Sequence, residues 1–226
     1  MSPYDLIIFD CDGVLIDSEL LSCNVLIGLL KQHGIDVDLA LVFDKFLGRS
    51  PQAILDYCAA SGCPLPGDFQ SKLSAAVRST FAKSLKPVPG VADVLQGLEA
   101  RYCVASSSDL ERMDYSLRLT GFSSLVGDRV FSAEMVRRGK PAPDLFLHAA
   151  AAMEASPGRT LVVEDSVTGV RAGKAAGMTV WGFSGGSHYA TRDGRALLLA
   201  AGADRIFDRM ADFHRHEAGP FNHAAR

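Results

Sequence analysis

Two hydrophobic rhythms run along the chain, and their order predicts its architecture. Leu6-Ile7-Ile8-Phe9 is a continuous apolar run of strand length, the pattern of a strand buried on both faces. From Glu19 to His33 the apolar residues Leu20, Leu21, Val25, Leu26, Leu29 and Leu30 recur close to every 3.6 residues, and the run stops at Gly34. That spacing predicts an amphipathic helix. Further helices are expected over 38–46, over 50–62 with Ser50 as N-cap and Pro51 opening the helix, and over 68–85 after the break at Pro64-Leu65-Pro66-Gly67. Lys86-Pro87-Val88-Pro89-Gly90 reads as a stiff connector. Beyond it the patterns alternate, with helices over 91–100, 109–120, 143–153 and 166–176. Strands are expected over 102–106, 129–132, 160–164, 179–183 and, more weakly, 205–207. The longest apolar run, 196–201 (Ala-Leu-Leu-Leu-Ala-Ala), reads as a buried helix face.

Alternating elements of this length imply a parallel sheet covered by helices on both faces. The fold class is therefore α/β: a Rossmann-like parallel sheet core, built from 1–14 and 86–226, with a four-helix insertion over 15–85. A length of 226 residues suits one domain carrying a large insertion, or two small domains. Apolar content of 48% and charged content of 22% describe an ordinary globular chain. A net charge of -3 offers no electrostatic reason to expect nucleic acid as a partner. No apolar run approaches the roughly 18 residues of a membrane span. The N-terminus enters a strand with neither a basic nor a long apolar leader, so no signal peptide is expected. The five cysteines are odd in number and lack CxxC spacing. They are read as reduced thiols of a cytoplasmic protein, monomeric by default.

The chemistry is concentrated at strand ends, where open parallel sheets bind ligands. The first strand runs into Asp10-Cys11-Asp12-Gly13, the second ends in Ser106-Ser107-Ser108, the third is followed by Lys140, and the fourth ends in Glu164-Asp165-Ser166. Paired acids at the end of a buried strand need compensation, most simply by a divalent cation. The set suggests phosphoryl transfer. A carboxylate attacks phosphorus only if anionic repulsion is cancelled, a task for a hard, oxygen-liganded ion such as Mg²⁺. Asp10, Asp165 and Glu164 would offer side-chain oxygens, and Asp12 its carbonyl. Lys140 would neutralise the phosphate and the nucleophile. Ser106, with Ser107 and nearby amides, would hold phosphate oxygens. Asp12 would protonate the leaving alcohol and later deprotonate a water.

The motifs Asp10-Cys11-Asp12-Gly13-Val14, Ser106, Lys140 and Glu164-Asp165, in this order, resemble those of the haloacid dehalogenase-like hydrolase superfamily. The likeness spans nearly the whole chain. The helical insertion is similar to the cap of the β-phosphoglucomutase and phosphoglycolate phosphatase subgroup. The resemblance implies an Asp10 nucleophile, an aspartyl-phosphate intermediate, a Mg²⁺ requirement and a small phosphorylated metabolite as partner. Asp12 argues against carbon-halogen cleavage, because dehalogenases of this fold lack that second acid. The mutase subgroup typically has a histidine where this chain has Ser22, which favours phosphatase over hexose-phosphate mutase. Receiver-type phospho-acceptor domains share the strand-end acids and lysine but are about half as long.

Several residues keep two readings. Glu164 is either a metal ligand or an acid behind the ligands. Arg49, in Gly48-Arg49-Ser50, is either a solvated helix-start charge or, as in similar caps, a clamp for a second anionic group on the substrate. Asp17 reads as an N-cap or hinge salt-bridge partner. His188, in Gly185-Gly186-Ser187-His188, reads as loop decoration, and Cys11 as pointing into the core.

Overall fold

The computed structural model describes residues 2–47 and 52–218. Among these, the strands are β1 (Leu6–Phe9), β2 (Arg101–Ser106), β3 (Val130–Ser132), β4 (Thr160–Glu164), β5 (Thr179–Phe183) and β6 (Arg205–Phe207). All pair in parallel, in the order β3-β2-β1-β4-β5-β6. β1 thus lies between β2 and β4, and the strand order reverses beside it. That reversal opens the crevice in which doubly wound sheets bind ligands.

The helices after the connector divide between the two sheet faces. α5 (Val91–Gly97), α6 (Leu110–Leu119), α7 (Ser123–Val126) and α11 (Phe213–Ala218) cover one face. There Val94, Met113, Leu117, Val126 and Phe213 pack on Ile7, Phe9, Val104 and Trp181. α8 (Asp144–Ala152), α9 (Val167–Ala175) and α10 (Gly194–Ala200) cover the other. There Phe146, Ala149, Val170 and Leu198 pack on Leu6, Ile8, Val162 and Val180. Successive β1 residues supply opposite clusters, so the strand must be apolar throughout.

Between β1 and β2 the chain forms α1 (Glu19–Gln32), α2 (Leu39–Lys45), α3 (Gln52–Ala60) and α4 (Phe69–Ser84). These helices bury their own cluster, including Leu26, Leu30, Val42, Phe43, Ile54 and Phe69. The two strands of chain that lead into and out of this insertion run side by side. Val88 N–H donates to Leu15 O and Asp17 N–H to Lys86 O, each at 2.9 Å. The expected Ser50 cap and Pro51 start lie outside the described residues. No helix among the described residues is long and apolar enough to cross a membrane.

The helix ends differ from the sequence reading in small ways, and one reading is corrected. α5 stops at Gly97, because Leu98 is already extended. The 196–201 run is not a buried face: Leu198 is fully buried, but Leu197 and Leu199 are 36% and 45% exposed. α10 lies along the sheet's edge, and in a helix three consecutive leucines point about 100° apart, so only one can face the sheet. Leu198→Ala should therefore cost about 2–4 kcal/mol in urea unfolding, and Leu197→Ala less than about 0.5 kcal/mol. Equal losses would contradict this assignment.

Candidate active site

The carboxyl ends of β1 and β4 converge on one lysine. Lys140, on the loop after β3, places Nζ 2.6 Å from Asp10 Oδ1, 2.5 Å from Glu164 Oε1 and 3.1 Å from the Ala105 carbonyl. Its side chain is 2% exposed. The ammonium also lies 4.9 Å from the centre of the Phe146 ring, a favourable site for a cation. Burial alone would lower the lysine's pKa, but Asp10 and Glu164 outweigh it and hold the amine above its ordinary range. The other oxygen of Glu164 accepts from the Ser166 N–H and hydroxyl, both at 2.9 Å. Ser166 in turn caps α9 through Gly169 N–H at 3.0 Å. Both Glu164 oxygens are therefore engaged by protein donors.

Asp165 completes the anionic centre. Asp10, Glu164 and Asp165 each offer a buried carboxylate oxygen, and these oxygens lie within 4.8 Å of one another. The turn after β1 makes this approach possible. Gly13 has φ +78°, and a Cβ there would collide with the Asp165 carboxylate. Burial pushes Asp10 well above the usual carboxylate range; Lys140 opposes this, while Glu164 and Asp12 add to it. Asp165 is raised in the same way, first by burial and then by Asp10, Glu19 and Glu164. Carboxylates crowded like this are uncomfortable alone and ordinary beside a divalent cation. An all-oxygen donor set with surplus negative charge suits a hard ion such as Mg²⁺.

Asp12 sits in a different environment. Its Oδ1 accepts from Ser18 Oγ at 2.6 Å and Arg112 Nη2 at 3.0 Å. Its Oδ2 accepts from Ser108 Oγ at 2.7 Å and Ser106 Oγ at 3.3 Å. Burial raises its pKa, but Arg112 and the two closer serine hydroxyls prevail and hold it below the ordinary value. Arg112 was not singled out in the sequence. Asp109 caps α6 by accepting from the Arg112 N–H at 2.7 Å, and this sets the arginine in the first turn, directly over the β2 end. The guanidinium also donates to Ser22 Oγ of α1 at 3.2 Å and lies 5.2 Å from the Phe81 ring of α4. A cation three residues past a cap, beside a strand end, was the available signal.

Above these groups lies a cavity of about 620 Å³ between the sheet and the helical insertion. Asp10, Asp12, Ser106, Ser107, Lys140 and Asp165 all reach it from the core side. Leu26, Phe46, Leu73, Val77 and Phe81 line it from the insertion. Arg49 lies outside the described residues. Cys11 is buried in the core. Two sequence readings are corrected. Asp17 does not cap α1 and forms no ion pair among the described residues; its Oδ1 accepts from Ser187 N–H at 3.0 Å and Ser187 Oγ at 2.8 Å. His188 is no surface decoration: it is 1% exposed, with Nε2 3.3 Å from Asp165 Oδ2. Burial, aided by Arg192, pushes its pKa down to about 4.

Comparison with known proteins places this geometry. The haloacid dehalogenase-like hydrolase family matches residues 4–177. The chain belongs to that family. It is 31% identical over 190 residues to the 6-phosphogluconate phosphatase of Escherichia coli K12, covering 83% of this chain and 86% of the relative. It is also 31% identical over 182 residues to the fructose-1-phosphate phosphatase YqaB of the same organism, covering 77% and 94%. Among solved structures, a haloacid dehalogenase-like protein from Agrobacterium tumefaciens superposes with a TM-score of 0.83 at 35% identity, covering 94% of this chain and 97% of that one. A family hydrolase from Deinococcus radiodurans R1, solved with bound phosphate and sodium, gives 0.76 at 33% identity, covering 96% of each. This member of the family is an enzyme, a phosphoric monoester hydrolase acting on small molecules.

One further acid reports on the charge surplus. Glu19, partly buried in the first turn of α1, is pushed from 4.5 up to about 8, by burial first and then by Asp12. Its folded form binds a proton that the unfolded chain has released, so stability falls as pH rises through that interval. The melting temperature of chelator-treated protein should drop between about pH 4.5 and 8, and Glu19→Gln should lessen the drop. A wild-type profile that is flat or rises across the interval contradicts this.

Proposed function

We propose that the enzyme hydrolyses small phosphomonoesters with Mg²⁺, through a transient phosphate ester on Asp10. The observation that carries this reading is the buried bridge of Lys140 between Asp10 and Glu164, with Asp165 beside it and the cavity above. Asp10, Asp165 and the carbonyl of Asp12 would hold the ion, while Glu164, both of whose oxygens are engaged, stands behind them. When bound, Mg²⁺ supplies the positive charge that lets a phosphate dianion approach a carboxylate.

The chain's own residues carry the remaining steps. Lys140 fixes the Asp10 carboxylate and offsets charge on the phosphate. The Ser106 hydroxyl and the Ser107 turn hold the non-bridging oxygens. An Asp10 oxygen bonds to phosphorus as the bond from phosphorus to the ester oxygen breaks, and Asp12, which takes up a proton as the arriving phosphate adds negative charge beside it, gives that proton to the departing alcohol. Asp12, now a base, takes a proton from water. That water attacks phosphorus, frees inorganic phosphate and regenerates Asp10. Ser18, Ser108 and Arg112 hold the Asp12 side chain ready as the ionised base. The helices of 15–85 act as a cap that excludes bulk water during transfer.

The relatives' names support substrates of the sugar phosphate or sugar-acid phosphate type, and phosphoglycolate is a smaller member of the same class. Arg49 is the candidate clamp for a second anionic group on such a substrate. Ser22 stands where mutases typically carry histidine, and here its hydroxyl is bonded to the Ser18 carbonyl and to Arg112. That arrangement favours hydrolysis over phosphate return.

Asp10→Asn should abolish phosphate release from p-nitrophenyl phosphate in Mg²⁺ while leaving the urea midpoint near or above that of the wild type. Turnover persisting at even a tenth of the wild-type rate would remove Asp10 as the nucleophile. Asp12→Asn should behave differently. Nitrophenolate needs no proton to leave, so the variant should release at most one equivalent in a burst and then stall. Hexose phosphates should lose about 10²- to 10⁴-fold in kcat. Sustained wild-type turnover of both substrates would rule out this role for Asp12.

A further inference from the structure

The turn after β5 places an imidazole that none of these steps uses. His188 lies in the short 3₁₀ turn Ser187–Tyr189. Neither ring nitrogen has a hydrogen-bond partner among the described residues. Nε2 nevertheless stands 3.3 Å from Asp165 Oδ2, close but not aligned for a bond. A buried, unpaired ring nitrogen is costly, and a modest rotation of the Asp165 carboxylate would satisfy it.

The neighbours of His188 hold the same target. The Tyr189 hydroxyl donates to the Asp165 main-chain carbonyl, and its ring packs on His188 with centroids 4.1 Å apart. Consecutive residues thus address the backbone and the side chain of Asp165. Gly186 lets the turn sit this close, since a Cβ there would come within 2.7 Å of His188 Cε1 and 3.2 Å of the Gly13 carbonyl oxygen. On its outer side the ring meets Phe43 of α2 edge-on at 6.3 Å, and Ser187 is tied to Asp17 at the entrance to α1. The turn is wedged between the helical insertion and Asp165.

We propose that His188 is a positioning residue for Asp165: its Nε2–H holds Oδ2 so that the other carboxylate oxygen faces the cation, and Phe43 seats the ring from the insertion. Oriented carboxylates bind metal more tightly, because the outer hydrogen bond removes their rotational freedom. The proposal rests on the reading of Asp165 as a metal ligand, and its test separates the two.

Metal-free protein is titrated with Mn²⁺ alone, following free ion by electron paramagnetic resonance. His188→Leu, which fills much of the ring's volume but cannot donate, should weaken Mn²⁺ binding about 10- to 100-fold. The apparent KM for Mg²⁺ should rise by the same factor, with substrate KM unchanged at saturating metal. His188→Gln, which restores an N–H donor, should recover binding to within about threefold of wild type. Unchanged Mn²⁺ affinity in His188→Leu, or equal losses in Leu and Gln, overturns the proposal. Asp165→Asn tests the underlying reading: wild-type Mn²⁺ affinity in that variant removes Asp165 as a ligand altogether. If His188→Leu does not fold, ¹⁵N-histidine spectra of the wild type decide the matter. An Nε2–H tautomer whose resonance shifts with Mg²⁺ supports the role, and an Nδ1–H tautomer indifferent to Mg²⁺ ends it.

Discussion

Everything at the centre of this molecule depends on charge balance in a place with little water. Around the ends of β1 and β4, Asp10, Asp12, Glu19, Glu164 and Asp165 face two cations among the described residues, Lys140 and Arg112. Each cation is committed: Lys140 to Asp10 and Glu164, Arg112 to Asp12. Ionised groups tolerate burial only when paired and hydrogen-bonded. Here the pairing is incomplete by design of the fold, and Asp10 and Asp165 carry the surplus. A divalent ion would bring this centre closer to neutrality and offset the charge of an arriving phosphate.

The parallel sheet is what creates that concentration. β1 has β2 on one side and β4 on the other, so three strand ends open onto one edge. A strand apolar on both faces can present polar groups only where it stops. The sheet therefore collects its acids at the crevice and nowhere along its length. The helical insertion leaves from the same edge and returns to it through paired linkers, which keeps its apolar lining above the acids. Chemistry thus resides on the sheet segments, and the shape of the cavity resides on the insertion.

Beside the Ser18–Asp12 bond, two further bridges among the described residues connect these halves near the carboxylates. Arg112 reaches from α6 to Asp12, Ser22 and the Phe81 ring. The turn at Ser187–Tyr189 reaches from β5 to Asp17, Phe43 and Asp165. Each joins a residue of the insertion to a carboxylate of the centre. Asp12 and Asp165 therefore both feel how the insertion is seated.

Much of this was legible along the chain. The apolar run at 6–9, the 3.6-residue spacing from Leu20 to Leu30 and the later alternation of helix and strand patterns specify local structure through side-chain burial, which repeats at short range. Asp10, Asp12, Glu164 and Asp165 were legible because each sits at or just past a strand end, where parallel sheets place polar groups, and Lys140 because it lies on the loop that follows the third strand. The residues that escaped reading depend on distance in space. Arg112 is 100 positions from Asp12, and His188, set after a glycine pair, looks like any loop histidine until β5 is laid beside β4. The leucines of 196–201 show the converse, since apolar identity says nothing of which face meets the core. Sequence by itself determined the elements and the chemical inventory of this protein. Only the tertiary structure decided which charges share a buried site, because electrostatic coupling depends on separation and burial, and neither is written in chain order.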